Sequence, residues 1–217
     1  MQNIIKALHL SPLKTITLLI LVGIVFFFST AFRNDISTNI TLPPTDSTAI
    51  AKDKMAEESK AAFLKAYSVF MHPRCMNCHP KGDQPLQGDD SHTHLQNVWR
   101  GADGKGVYAM KCKNCHQDAN IDGLGTPPGN PHWQMPPADK PMTFEGKSPK
   151  QLALHFKDNQ FTGFKTLNDM IKHVDEESLV LSSFNPPAGV SKIPMSHEEF
   201  VDAVKEWIAK GAAVPDK

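Results

Sequence analysis

The chain lacks an excess of charge of either sign: 23 basic and 23 acidic residues cancel, and lysines and arginines nowhere cluster into a run. Nucleic-acid binding driven by phosphate neutralisation needs such a cluster, so no nucleic-acid partner is expected. No segment shows the alternating apolar and polar pattern of a strand, which argues against a sandwich or barrel. No internal repeat occurs beyond the cysteine motif described below, which removes solenoids. Apolar residues are also scarce where they matter. Residues 1–32 hold about 20 of them, leaving a remainder that is only about 36% apolar. A chain with 17 Pro and 13 Gly and so thin a supply needs disulfides, a metal or a cofactor to hold a core.

Residues 1–32 supply the long hydrophobic run that the remainder lacks. Lys6 and Lys14 precede eighteen uncharged residues, 15–32, and no acidic residue occurs before Asp35. A positive flank followed by an apolar stretch is an export signal, and it predicts that everything after Arg33 lies in the periplasm. Ser29 and Ala31 satisfy the small-residue rule for cleavage after Ala31. As a helix the run rises about 27 Å, so an uncleaved anchor in the inner membrane is equally open. Residues 33–51, rich in Thr, Ser, Asn and Pro, read as a flexible linker. The remaining residues, 52–217, form the expected domain, slightly acidic with 21 basic and 23 acidic groups counted from position 33.

Within that domain a helix is expected from Lys52 to about Met71, with Phe63, Tyr67 and Phe70 on one stripe beside Ala62 and Ala66. Residues 80–147, dominated by Gly, Pro, Asp and Asn, read as long irregular loops that need an internal template. Three helices are expected after them. Ser148 and Gln151 form a capping box ahead of Leu152, Leu154 and Phe156; Leu167, Met170, Ile171 and Val174 define a second stripe. Ser196 and Glu199 form another box ahead of Phe200, Val204, Trp207 and Ile208, with Gly211 as the stop. The fold class is therefore mainly α.

All four cysteines fall into two identical frames, Cys75-Met76-Asn77-Cys78-His79 and Cys112-Lys113-Asn114-Cys115-His116. C-x-x-C-H is the attachment signature of c-type haem: the two thiols reach the two vinyl groups of one porphyrin and the histidine binds the iron. Two covalently attached haems are expected. A four-thiolate zinc site would not require a histidine after each second cysteine, a thioredoxin-like pair lacks its βαβ surroundings, and two structural disulfides are the remaining alternative. Two porphyrins also supply the apolar faces that the loops need to wrap. Arg74, Arg100 and the Trp133 indole are candidates to meet the haem propionates. For the second axial positions we favour His94 and Met142, with His173 third; the choice matters because His/Met ligation raises the potential relative to His/His. Gly101, Gly104 and Gly106 read as turns, and Asp83, Asp89 and Asp90 as surface carboxylates.

The runs Met71-His72-Pro73-Arg74-Cys75-Met76-Asn77-Cys78-His79-Pro80, Pro85-Leu86-Gln87-Gly88-Asp89, Arg100-Gly101-Ala102-Asp103-Gly104-Lys105-Gly106 and Ser196-His197-Glu198-Glu199-Phe200, with Trp207, resemble a family of exported dihaem c-type cytochromes. Its members are labelled the cytochrome subunit of isoquinoline 1-oxidoreductase, and the likeness covers roughly residues 60–215. The resemblance implies a single cytochrome-c-like domain and a redox partner, a molybdenum hydroxylase that delivers electrons. A downstream cytochrome or oxidase would accept them. Two further readings differ in class: a dihaem peroxidase or thiol-oxidising cytochrome with one open iron site, and a haem-based sensor.

Overall fold

A computed structural model describes residues 47–217, and the expected export signal and most of the linker lie outside them. The described part is mainly α, with seven α-helices and two minimal antiparallel strand pairs. Helix α1 spans Ser47–Phe70. It begins five residues before the expected start, so residues 47–51 are helical rather than linker, fully on the exposed side. Among the described residues no helix is long and apolar enough to cross a membrane.

The core forms where α1 packs along the last helix, α7, His197–Ala209. Both carry apolar residues at helical spacing. Ala62, Phe63, Ala66, Val69 and Phe70 on α1 meet Phe200, Val201, Ala203, Val204 and Trp207 on α7. Phe63 lies 4.8 Å from Trp207 and Phe70 lies 5.2 Å from Phe200, ring centre to ring centre. Tyr67 sits at the margin of this seam, where its hydroxyl donates to the Lys147 carbonyl at 2.7 Å. Ser59 is the one hydroxyl of α1 taken fully inside, donating to the Trp207 carbonyl and accepting from the Ala213 amide.

Helix α3, Pro149–Phe156, adds Leu152, Ala153 and Phe156 to the core. Leu154, expected on the same face, is exposed; at 3.6 residues per turn, position 154 falls opposite 152 and 156. Helix α5, Leu167–Glu176, adds Met170 and Val174. The two expected capping boxes close as reciprocal hydrogen bonds, and Thr166 with Asp169 makes a third at the start of α5. Two short helices that the apolar pattern did not announce, α4 (Asn159–Thr162) and α6 (Ser178–Ser183), turn the chain between the longer ones. At the far end Gly211, at φ 97°, ends α7 as expected.

Residues 80–147 are irregular apart from two hairpins, β1 Leu86–Gln87 with β2 His92–Thr93, and β3 Gly106–Val107 with β4 Met110–Lys111. Arg100 organises this region. Its guanidinium is buried, donates to the carbonyls of Pro136 (2.7 Å) and Gly82 (2.9 Å), and pairs with Asp83. The glycines of the 101–106 run make turns at positive φ. At Gly104 a Cβ would stand 2.0 Å from the Met135 carbonyl oxygen, so the two loop segments touch only because no side chain is there.

Candidate functional site

The first C-x-x-C-H frame begins on α2, Pro73–Met76. His72 caps this turn, its Nδ1 accepting from the Arg74 amide, and Pro73 supplies a pre-set first helical residue. The turn continues through the motif: Cys78 donates its amide to the Cys75 carbonyl and His79 to that of Met76. The second frame repeats this on a 3-10 turn, Cys112–Asn114, with the amides of Cys115 and His116 both directed at the Cys112 carbonyl. One helical turn separates the two cysteines of each frame, which puts both thiols on one side of the chain.

The two motif histidines are held alike. His79 Nδ1 lies 2.8 Å from the Met142 carbonyl, and His116 Nδ1 lies 2.7 Å from the Pro128 carbonyl. A carbonyl only accepts, so Nδ1 carries the proton in each ring and Nε2 keeps its lone pair free. Each ring also lies flat on an aromatic neighbour: Phe144 under His79 at 3.9 Å and 5°, Trp133 under His116 at 4.1 Å and 8°. Burial holds both imidazoles below their ordinary pKa, His79 at about 3. They are neutral at physiological pH, the form in which imidazole binds a metal.

All four cysteines are free thiols. Burial raises Cys75 to about 12 and Cys78 to about 11, and it raises Cys112 as well. The thiols of Cys75, Cys78 and Cys112 are therefore protonated at neutral pH. Among the described residues no three metal-ligating side chains converge, so the four sulfurs do not form the cage that a four-thiolate zinc site needs. The frames are nevertheless neighbours, since the Cys112 sulfur is near enough to bear on the ionisation of Cys78.

The three candidates for the second axial positions fall differently. His94 follows β2, fixed by its amide to the Pro85 carbonyl at 3.0 Å, and its ring centre lies 6.4 Å from that of His116. His173 lies on α5 against Phe164 and is close enough to His79 to depress its protonation further. It lines an open cavity of about 440 Å³ with His132, Phe164 and Lys172. Met142 falls beside the first frame. Its carbonyl meets His79 Nδ1, which sets its backbone on the side of the ring away from Nε2, and its side chain joins the hydrophobic core.

The expected propionate donors are largely engaged elsewhere. Arg100 is committed to loop carbonyls and Asp83. Arg74 pairs with Asp89 at 2.7 Å and donates to the Gly88 carbonyl, while its Nε is buried without a partner. Trp133 serves His116 as a stacking face. The three loop carboxylates behave as expected of surface groups: Asp83 meets Arg100, Asp89 meets Arg74 and Ser191, and Asp90 meets His92.

Four partners escaped the sequence reading. Phe144 was not singled out, although an aromatic two residues beyond Met142 in a proline-stiffened run was a usable signal. The carbonyls of Pro128 and Met142 carry no side-chain signal at all. Asn130 is buried and knits the second frame to α6: its amide group donates to the Ser178 carbonyl and the Ser182 hydroxyl, and its carbonyl oxygen accepts from the His132 amide. Its backbone carbonyl also accepts from Lys113 of the motif itself. No family model matches the chain, and neither a curated protein nor a solved structure matches it.

Proposed function

We propose that the chain is an exported dihaem c-type cytochrome that carries electrons in the periplasm, with a cytochrome-c-like opening and closing helix pair formed by α1 and α7. The observation that carries this reading is the repeated histidine geometry: in both C-x-x-C-H frames Nδ1 donates to a backbone carbonyl, Nε2 is left free, and an aromatic ring fixes the imidazole plane. Cys75, Cys78 and His79 hold one haem; Cys112, Cys115 and His116 hold the other. Protonated thiols suit attachment, because each adds its S–H across a vinyl group. When bound, each haem iron exchanges one electron.

The residues around the irons do the rest. The Met142 and Pro128 carbonyls keep the tautomer and raise the basicity of each imidazole. Phe144 and Trp133 limit its rotation. That Cys112 bears on the ionisation of Cys78 supports two centres near one another, which suits a carrier that accepts the two electrons of one hydroxylation. The resemblance to cytochrome subunits of isoquinoline 1-oxidoreductases supports a molybdenum hydroxylase as donor and a cytochrome or oxidase as acceptor.

The decisive experiment is a pyridine haemochrome assay on the full chain matured in a haem-attaching host, followed by rapid-mixing reduction with a molybdenum hydroxylase and its N-heterocyclic substrate. Two haems per chain, both reduced by the donor, is the expected result. A chain recovered without covalent haem would end the reading, and two haems that the donor fails to reduce would remove the molybdenum partner from it.

A further inference from the structure

We infer that His94 is the second axial ligand of the haem held by Cys112, Cys115 and His116, so that this centre has two imidazole ligands. The inference rests on the dihaem reading above and deepens it. Three observations carry it.

The first is distance. Two imidazoles on one metal, each with a metal–nitrogen bond of about 2 Å, have ring centres roughly 6.3 Å apart; His94 and His116 stand 6.4 Å apart. The contrast with Trp133 is informative, because that ring stacks on His116 at 4.1 Å, whereas the His94 ring centre stands at the larger separation.

The second is angle. Both ring planes must contain the axis through the metal, but the twist between them about that axis is free, so the observed 65° is admissible. The third is the state of the His94 ring. Its Nδ1 is buried with no hydrogen-bond partner. A buried ring nitrogen without a partner is a lone pair that a metal ion would satisfy.

The chain between the two frames is built to deliver this residue. His94 follows the β1–β2 hairpin, where Gly88 and Ser91 take positive φ, and its backbone is fixed at both ends, by its amide to Pro85 and by the Asn97 amide to its carbonyl. His92, two residues earlier, also has a buried, unpartnered nitrogen, its Nε2, with Nδ1 held by Asp90 at 2.6 Å; what sets His94 apart is that its ring is the one placed against that of His116.

The test uses the full chain matured with haem, as the unmodified protein and as His94→Ala and His94→Met. Near-infrared magnetic circular dichroism and low-temperature electron paramagnetic resonance report the ligand set independently of activity, and the pyridine haemochrome reports haem content. The unmodified protein is expected to show a bis-imidazole low-spin centre. In His94→Ala one of the two haems becomes high-spin, half of the haem signal, and added imidazole returns it to low-spin; in His94→Met that haem takes an imidazole–thioether signature. Absence of a bis-imidazole centre from the unmodified protein overturns the inference even where the variants fail to accumulate. So does a His94→Ala protein in which both haems stay low-spin. Two haems per chain in those cases would leave the dihaem reading standing, whereas an unmodified chain without covalent haem would overturn both.

Discussion

Phe144 lies flat against the imidazole of His79, ring centres 3.9 Å apart, and meets Phe70 and Phe156 edge-on at 5.5 and 5.6 Å. One ring thereby joins the first C-x-x-C-H histidine to the aromatic centre of the helical core. Trp133 gives His116 the same stacking face, but it is only half-buried and belongs to a loop. The first frame is braced by the core and the second by the loops.

This difference predicts unequal costs. Phe144→Ala should destabilise the domain by about 3–5 kcal/mol, the range for truncating a buried aromatic, and Trp133→Ala by clearly less. Chemical denaturation of both variants measures it; equal losses would show that the second frame is as firmly tied to the core as the first.

Haem content should divide by frame. Cys78→Ala and Cys115→Ala each remove one of two attachment sulfurs from one frame only, and each is expected to lower the pyridine haemochrome yield of fully attached haem towards one per chain. A variant that still yields two haems with unaltered pyridine spectra would show that its cysteine is not an attachment point.

Ser59 satisfies two backbone groups on the opposite side of the seam, the Trp207 carbonyl and the Ala213 amide. Ser59→Ala leaves both without that partner at a fully buried position, a loss of about 1–3 kcal/mol. Thermal unfolding is the measure, and an unchanged midpoint would mean that water replaces the hydroxyl.

Asp89 ties α2 to the segment before α7, through Arg74 and Ser191. Burial works to raise its pKa, but the Ser191 hydrogen bonds and the Arg74 charge outweigh it and hold the carboxyl below its ordinary value. A group depressed in the folded state contributes stability above its unfolded pKa of about 3.9, and that contribution is lost as pH falls through the lower folded value. Because Asp89 is half exposed, the contribution is under about 1 kcal/mol. Unfolding curves of the unmodified protein and Asp89→Asn should therefore differ at pH 7, and the gap should narrow as pH falls below about 3.9; a gap that stays constant throughout that fall would assign the effect to packing.

Two glycines of the loop region should respond in opposite ways to alanine. Gly104 has φ 78° and a Cβ there would meet the Met135 carbonyl at 2.0 Å, whereas at Gly82 a Cβ would meet nothing within 4 Å. Gly104→Ala is expected to cost more than about 1 kcal/mol and Gly82→Ala to be near neutral. Comparable melting of the two variants would refute the close approach of residues 104 and 135.

The local parts of this protein were legible in its residues. The C-x-x-C-H frames, the capping boxes at Ser148 and Ser196, the Phe63 and Phe70 stripe and the Gly211 stop each depend on neighbours one to seven positions away, and one helical turn brings such neighbours together whatever the rest of the chain does. Leu154 and residues 47–51 were misplaced for the same reason in reverse: an every-second-residue apolar spacing does not make a helical face, and a polar, Thr- and Ser-containing segment carries no sign that a helix runs back into it.

What only the tertiary structure decided is which distant groups meet the two histidines. His79 finds its acceptor 63 residues away at Met142 and His116 finds its own 12 residues away at Pro128, and in both cases the partner is a backbone carbonyl that every residue type possesses. Met142, singled out for its sulfur, also brings its backbone carbonyl to His79. His94 reaches to within 6.4 Å of His116 because a hairpin turns at Gly88 and Ser91. Side-chain chemistry and local periodicity are written in the sequence, whereas the course of a glycine- and proline-rich loop is set by close approaches and hydrogen bonds that exist only once the chain has folded.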